Sequence, residues 1–207
     1  MKKILVKIII LIFCAVSFNA AELYAAVGCT LNDPDRDVKR IFPGSTGYKT
    51  EFITIKEVGG EELAVRIEKR LGDKFETEYE TIDVPYAFYT VLKGKEAIGR
   101  IHGVNQKGTY GGIQLIVATD LDGEIKDFYY QKLSAPEARK FRDKEFTGQF
   151  TGLTLEDFYD EGRVVLIKDP SSESEEDFRN TLRGLKKNMI LLDEFKLNKS
   201  GLREEEK

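Results

Sequence analysis

Polar and apolar residues alternate through the middle of the chain, which is the pattern of half-buried strands. Asp122-Gly123 separates the last two alternating runs, and this dipeptide is a strong signal for a tight hairpin turn. Strands that follow one another through tight turns pair antiparallel, so the pattern predicts an antiparallel sheet. The predicted strands are residues 48–58, 85–92, 97–105, 112–119 and 124–132.

Helical periodicity flanks the predicted sheet on both sides. Asp33 followed by Pro34 predicts the start of a short helix, since Asp caps helices and proline suits the first helical position. A second helix is predicted over residues 61–71, with Gly72 as its C-terminal cap. A long helix is predicted over residues 173–194, where apolar residues recur at spacings of four and three: Phe178, Leu182, Leu185, Met189 and Leu192.

Three capping boxes mark predicted helix starts in the second half of the chain. A Ser or Thr three residues before an acidic residue satisfies free backbone amides at a helix start. The pairs are Ser134 with Glu137, Thr154 with Asp157, and Ser172 with Glu175. The order of elements predicts an α+β domain, with an antiparallel sheet, flanking helices and a long C-terminal helix packed on the domain.

The first residues predict export from the cytoplasm. Two lysines precede a run that is apolar from Ile4 to Phe18 apart from Lys7, and Leu23-Tyr24-Ala25 is an acceptable cleavage site. These features form a secretory signal peptide, and the run is shorter than the ~20 residues of a membrane-spanning helix. We expect a signal at residues 1–25, a single domain over residues 26–195 and a polar tail over residues 196–207.

Tethering to the membrane is the alternative to full release. The apolar run could stay attached as an uncleaved anchor. Cys29 follows Ala26-Val27-Gly28, which is a little like the sequence before a lipid-modified cysteine. Residues 19–24 separate this cysteine from the apolar run, so lipidation is not favoured. The basic start suits export to a bacterial periplasm.

The acidic charge of the chain argues against several classes of partner. Removing residues 1–25, with three lysines and one glutamate, takes the net charge from −4 to −6. Without a basic stripe, such a chain is a poor ligand for nucleic acid. One histidine and, after cleavage, one cysteine are too few for a structural zinc site, and we expect no metal. His102 lies on a predicted strand without a nucleophile motif near it, and we interpret it as structural.

Residues 108–158 contain an ordered set of motifs. Tyr110-Gly111-Gly112 precedes an apolar strand, and Asp120–Ile125 holds the Asp-Gly hairpin. Ser134–Pro136 forms a loop with a proline, and Gln149-Phe150-Thr151-Gly152 follows it. The set resembles the FMN-binding domain of the G subunit of Rnf electron-transport complexes and of the C subunit of the sodium-pumping NADH:quinone reductase. The hairpin alone is common in β proteins, and the specificity lies in the order of the motifs.

The resemblance implies a non-covalent FMN site. Its glycines would let backbone amides approach the cofactor, an aromatic ring would stack on it, and Gln149 would hydrogen-bond the pyrimidine end. The implied site residues are Tyr110, Gly111, Gly112, Ser134, Ala135, Pro136, Gln149, Phe150 and Gly152. The alternative is that the glycines form turns, Phe150 lies in the core and Gln149 is a surface amide.

Two departures distinguish this chain from the family pattern. The family's loop after the hairpin reads His-x-Glu-Thr-Pro-Gly, whereas residues 131–137 keep the proline without the histidine or the glycine. Members with covalent FMN carry Ser-Gly-Ala-Thr at a helix start. Here residues 170–176 place Ser174 nearest the acceptor position, without Gly-Ala. Neighbouring acidic residues would repel a phosphate, so we expect these serines to cap the last helix and Ser174 to carry no flavin.

Two functions follow from the resemblance and its departures. The first is an exported FMN-binding protein that acts as an electron carrier or accessory in an envelope redox system. Its partner would be an envelope redox protein or a membrane complex, and it has no independent catalytic motif. The second is a divergent member without flavin that serves as a binding or assembly module in an envelope complex.

Overall fold

A five-stranded antiparallel sheet forms the centre of the fold, and its strands lie side by side in chain order. The computed structural model describes residues 29–159 and 162–198. The predicted signal and the end of the predicted tail lie outside these residues. The strands are β1 Gly47–Ile53, β2 Tyr86–Lys93, β3 Glu96–Gln106, β4 Ile113–Thr119 and β5 Ile125–Lys132.

Along the chain, helices come before β1, between β1 and β2, and after β5, so the predicted α+β class is confirmed. They are α1 Pro34–Ile41, α2 Ile55–Val58, α3 Gly60–Leu71, α4 Ala138–Arg142, α5 Lys144–Thr147 and α6 Glu175–Leu192. Between α5 and α6 the described residues form four short 3-10 turns. A π-helical turn, Asp193–Leu197, extends α6. Within the described part of the chain, no helix has the length and apolar character to cross a membrane.

Capping signals in the sequence set several helix boundaries. The carboxylate of Asp33 accepts a hydrogen bond from the backbone N–H of Arg36 at 3.1 Å, so the predicted start of α1 is confirmed. Gly72 ends α3 in a left-handed conformation with φ of 78°, which glycine adopts without strain. Thr154 and Asp157 form the predicted capping box, and the helix that it opens is a 3-10 turn.

The first predicted strand is too long. The alternation predicts a strand over residues 48–58, but β1 ends at Ile53. Thr54 and Glu57 form a reciprocal capping box there, with the Glu57 backbone N–H donating to Thr54 Oγ1 at 3.1 Å. This box opens α2, because its two side chains satisfy amides that a strand would have to pair with a neighbour.

The other two predicted capping boxes are wrong. Helix α4 begins after Glu137, whose side chain makes no capping bond and instead pairs with Lys140. Residues 172–174 form a 3-10 turn, so α6 begins at Glu175 and Ser174 stands at its N-cap without a side-chain capping bond. In both places the acidic residue lies too close to the helix start to reach back from the third helical position.

The sheet is covered on both faces. Because successive side chains of a strand point to opposite sides, β4 contributes Ile116 to one face and Val117 to the other. The larger cluster joins α3, α6 and the segments after β5 to the sheet, and includes Leu63, Phe88, Val117, Phe128 and Leu185. The smaller cluster joins residues 29–31 and α1 to the opposite face, and includes Cys29, Leu31, Val38, Ile101 and Ile116.

Helix α6 packs through its predicted apolar stripe on the face of the sheet that carries the larger cluster. Leu185, Met189 and Leu192 are fully buried, and Phe178 and Leu182 are partly buried. Gly184 lies where a side chain would collide with Leu115 of β4, so glycine lets the helix approach the sheet closely. The predicted stripe is therefore a core-packing surface.

Candidate functional site

The turn between β3 and β4 carries the first group of residues that the resemblance singles out. Gly111 has φ of +114°, a conformation that favours glycine, and no atom lies within 4 Å of where its Cβ would stand. Tyr110 beside it is 60% exposed. A Cβ on Gly112 would meet the ring of Tyr79 at 3.0 Å. The turn therefore offers an exposed aromatic ring and an open stretch of backbone.

The loop after β5 carries the second group. Gln114 at the start of β4 pairs with Lys132 at the end of β5, so the loop lies at the same end of the sheet as the Tyr110–Gly112 turn. Ser134 and Pro136 are exposed. The carbonyl of Ala135 accepts a hydrogen bond from the backbone N–H of Ala138 at 3.1 Å, which closes the loop onto α4.

The start of α6 meets both groups. The carboxylate of Asp177 accepts a hydrogen bond from the backbone N–H of Thr109 at 2.8 Å, one residue before Tyr110. The hydroxyl of Ser171 lies 3.5 Å from the carboxylate of Glu137, one residue after Pro136. We call the turn 108–112, the loop 134–137 and residues 171–177 together the sheet-end surface.

The sheet-end surface is acidic where a flavin phosphate would be expected. Glu173, Glu175 and Glu176 are exposed around the start of α6, and Asp177 is 2% exposed beside Thr109. A helix N-terminus favours negative charge, and these carboxylates already occupy that position. Ser174 is 7% exposed in their midst, so a phosphate ester on its hydroxyl does not fit.

The third predicted group is enclosed by the protein's own groups. Phe150 has no exposed surface, and its ring centroid lies 5.0 Å from that of Phe128 and 5.4 Å from that of Phe146. The side-chain oxygen of Gln149 accepts from the backbone N–H of Lys168 at 3.0 Å, and its amide nitrogen donates to the Lys168 carbonyl at 3.4 Å. Phe150 is thus a core residue, and Gln149 ties two segments of the chain together.

Gly152 lies at the opposite end of β5 from the sheet-end surface. Its backbone N–H donates to the carbonyl of Ile125 at 2.8 Å, and Ile125 N–H donates to Leu153 at the same distance. Ile125 begins β5 and Lys132 ends it, and strand residues rise about 3.3 Å each, so the two ends are roughly 20 Å apart. The structure therefore brings together the first two predicted groups, but not Gly152.

A cavity of about 520 Å³ opens beside Gln149. Its volume is within the range of small-molecule sites, but such sites are usually lined by apolar side chains. Two lysines, three acidic residues and one buried phenylalanine ring contribute to its lining. The lining residues are Lys140, Asp143, Glu145, Phe146, Gln149, Lys168, Asp169 and Pro170.

A buried ion cluster behind the sheet-end surface has no signal in the sequence. The carboxylate of Glu80 has no exposed surface and pairs with Lys187, which is 1% exposed, and with Arg183 at 2.9 Å. Burial lowers the pKa of Lys187 to about 8, against the opposing effect of Glu80. Burial alone would raise the pKa of Glu80, but Lys187 and Arg183 outweigh it and lower that pKa. Because 107 residues separate Glu80 from Lys187, local patterns cannot predict their pairing.

The single histidine has a structural environment. His102 Nδ1 lies 2.6 Å from the side-chain oxygen of Asn188 on α6, and its ring stacks on Phe88 with centroids 5.2 Å apart. Burial lowers the pKa of His102 to about 4, so the ring is neutral near pH 7. The sheet-end surface offers exposed carboxylates, an open stretch of backbone at Gly111 and an exposed aromatic ring.

The comparisons with known proteins concern the fold. No protein-family model matches the chain, and no curated protein matches it. The crystal structure of NqrC from Shewanella oneidensis is similar, with a TM-score of 0.50 and 14% sequence identity. The similarity covers 84% of this chain and 92% of that chain. At this identity it shows a distant relationship of fold, and the family resemblance rests on the motifs.

The residues at the sheet-end surface disfavour a covalently bound flavin. Gly111 has open space beside its backbone and the ring of Tyr110 is exposed, at the same end of the sheet as the Ser134–Pro136 loop. The acidic start of α6 disfavours a phosphate at Ser174. A bound FMN would therefore have to place its phosphate away from this helix.

Proposed function

We propose that this protein is an exported flavin-binding domain that acts as an electron carrier or accessory in an envelope redox system, holding FMN without a covalent bond. The observation that carries the proposal is the convergence of the Tyr110–Gly112 turn and the Ser134–Pro136 loop at one end of the sheet. Two motif groups of the resemblance thus share one surface. The fold similarity to NqrC, the C subunit named in that resemblance, supports the same domain type.

In this proposal FMN supplies the electron-transfer chemistry, and the chain supplies its binding and environment. Tyr110 stacks on the ring system, and the open backbone at Gly111 lets peptide groups approach its edge. The carboxylates around α6 place negative charge near the cofactor, which opposes the gain of an electron and lowers the reduction potential. The partner would be an envelope redox protein or a membrane complex.

Export belongs to the proposal as well. The predicted signal at residues 1–25 would deliver the domain to the periplasm, with an uncleaved anchor or a lipid on Cys29 as the alternatives. Mass spectrometry of the protein purified from its native envelope tests this directly. A mass that begins near Ala26 supports export with cleavage, whereas an intact Met1 start contradicts cleavage.

The test of flavin binding is an absorbance spectrum of the same preparation, repeated after denaturation and filtration. We expect flavin bands in the native protein, with all of the flavin passing the filter because no covalent bond holds it. Flavin that stays with the denatured chain would contradict the non-covalent site. The variant Tyr110→Ala should retain less flavin and show weaker bands than the wild type, while Tyr48→Ala, on the opposite face of the sheet, should keep them.

A flavin-free assembly module is the second candidate. One observation favours it: Asp177 already occupies the Thr109 amide, so part of the backbone that could face a ligand is bonded internally. A colourless preparation that also fails to quench the fluorescence of added FMN would support this candidate and overturn the first.

A further inference from the structure

Tyr79 lies against the candidate site, although neither the motifs nor the chain's periodicity singles it out. It belongs to the segment between α3 and β2 and reaches the turn between β3 and β4 from outside. A Cβ on Gly112 would stand 3.0 Å from Tyr79 Cε1 and 3.6 Å from its hydroxyl oxygen. The half-buried ring therefore rests on the backbone of Gly112.

The turn that presents Tyr79 is closed by Glu80. The backbone N–H groups of Tyr79 and Glu80 both donate to the carbonyl of Glu76, at 2.8 Å and 2.7 Å. In return, the Glu76 N–H donates to the carboxylate of Glu80 at 2.6 Å. The Glu80 side chain therefore helps to fix the conformation of residues 76–80.

The same carboxylate attaches this turn to α6. Arg183 donates to its two oxygens at 2.9 Å and 3.1 Å, and Lys187 pairs with it from the next turn of the helix. Lys187 also donates to the carbonyl of Asn105 near the end of β3, at 2.6 Å. Arg183 reaches Asp73 at 2.7 Å as well. The ion cluster thus joins the Tyr79 segment, α6 and β3 into one unit.

The turn between β3 and β4 needs such support. Gly111 and Gly112 lack side chains that could pack, and glycine has the largest backbone freedom. Asp177 fixes the first half of the turn through the Thr109 amide. At Gly112, the second half contacts the Tyr79 ring. The two contacts come from different parts of the chain and hold the turn at both ends.

We propose that Tyr79 is a positioning residue for the Tyr110–Gly112 turn, and that Glu80, Lys187 and Arg183 hold Tyr79 in place. Tyr79 keeps the backbone at Gly111 and Gly112 in the conformation that receives the ligand. The ligand part of this inference rests on the proposed flavin function, whereas the positioning of the turn does not.

NMR relaxation of the backbone amides, measured without added ligand, tests the positioning. We expect order parameters of about 0.8 at Gly111 and Gly112 in the wild type and below ~0.6 in Tyr79→Ala. The order parameters of the β4 amides should be the same in the wild type and in Tyr79→Ala. The control Tyr48→Ala removes an equivalent ring from the other face of the sheet and should leave both glycines rigid. Unchanged order parameters at both glycines in Tyr79→Ala would overturn the proposal.

The role of the ion cluster is tested with the double variant Glu80→Leu/Lys187→Met. Removing Glu80 and Lys187 together avoids an unpaired buried charge, which would destabilise the whole fold, because Arg183 keeps its pairing with Asp73. Faster hydrogen exchange at residues 76–80 and lower order parameters at Gly112 would support the role of the cluster. A rigid Gly112 in a folded double variant would contradict it.

Titration with FMN separates this inference from the proposed function. If Tyr79 positions the turn, Tyr79→Ala should bind FMN about ten-fold more weakly than the wild type at a temperature where circular dichroism shows both proteins folded. Equal affinity would contradict the ligand part of the inference. A wild type that binds no FMN would refute the proposed function, while the relaxation data still decide the positioning.

Discussion

The residues that the family resemblance singles out fall into two environments, the exposed sheet-end surface and the enclosed segment 149–152. The Tyr110–Gly112 turn and the Ser134–Pro136 loop present exposed atoms at one end of the sheet. Phe150 is fully enclosed, and both polar atoms of the Gln149 amide are bonded to Lys168. A motif shared with a ligand-binding family can thus mark a binding surface in one place and a packing requirement in another.

The difference has a physical cause. In the segment 149–153, each recognisable residue contributes to folding, since Phe150 fills the core, Gln149 bridges to Lys168, and Gly152 begins the contact with β5. At the sheet-end surface, the ring of Tyr110 and the backbone of Gly111 have free space beside them. Substitutions in the two groups should therefore separate stability from binding.

The largest effect on stability is expected for Phe150→Ala. Removing this fully buried ring should lower the free energy of unfolding by about 3–5 kcal/mol, because a cavity remains among the aromatic neighbours. Urea denaturation followed by circular dichroism measures the loss. The control Phe52→Ala removes a ring that is 58% exposed and should change stability by no more than about 0.5 kcal/mol. Similar losses in both variants would invalidate the assignment of Phe150 to the core.

Acidification extends the comparison to the interior beneath α6. The pKa of His102 is lowered from 6.5 in the unfolded chain to about 4 in the folded protein. Between these values the unfolded chain binds more protons, so the contribution to stability is complete above pH 6.5 and falls as the pH falls towards 4. The loss amounts to about 3 kcal/mol.

The single histidine makes this effect directly measurable, because its ring proton signals are unique in an NMR spectrum. We expect a titration midpoint near 4, and the variant His102→Gln should lose less stability between pH 6.5 and 5 than the wild type. A midpoint near 6.5 would show that the ring is accessible to water.

A smaller effect is expected for Gln149→Ala. Two hydrogen bonds to the backbone of Lys168 are lost, and each contributes about 0.5–1.5 kcal/mol. The bond from the Gln149 amide nitrogen is long, at 3.4 Å, and lies at the weak end of this range, so the free energy of unfolding should fall by roughly 1–2 kcal/mol. Affinity for FMN should stay the same, as measured by fluorescence quenching. If FMN affinity falls while stability does not, Gln149 belongs to the binding surface and the comparison is wrong.

The smallest effect on stability is expected for Tyr110→Ala. Removing this exposed ring leaves no cavity, so the free energy of unfolding should change by no more than about 0.5 kcal/mol. FMN affinity should fall by about ten-fold, since ring stacking contributes about 0.5–1.5 kcal/mol. A clear loss of stability with unchanged FMN binding would reverse the roles assigned to the two groups.

Much of the fold could be predicted because its signals are local. Alternation in the sequence places four of the five strands within one residue of their ends, and the Asp-Gly turn places the β4–β5 hairpin. The predictions that were wrong lie where two local signals in the sequence favour different structures. Thr54 and Glu57 open a helix within an alternating run, and the acidic residues of two predicted boxes take other roles. Glu137 pairs with Lys140, and Glu175 pairs with Arg179.

The candidate site was predictable only in part, because its geometry depends on contacts between distant segments. The sequence pointed to the Tyr110–Gly112 turn, but the packing of Tyr79 on Gly112 joins parts of the chain with no common pattern. The pairing of Glu80 with Lys187 is equally non-local. Sequence motifs also carry no information on which glycines face solvent and which face the core.

The burial of Cys29 gives the protein an internal reporter of its own motions. Cys29, the first described residue, is 2% exposed with its sulfur close to the backbone of Gly103, and burial raises the pKa of its thiol to about 12. An alkylating reagent needs a solvated thiolate, so we expect it to react only when this segment lifts from the sheet. The rate of alkylation would then count those openings, and a lipid chain on this sulfur would hold the segment permanently open.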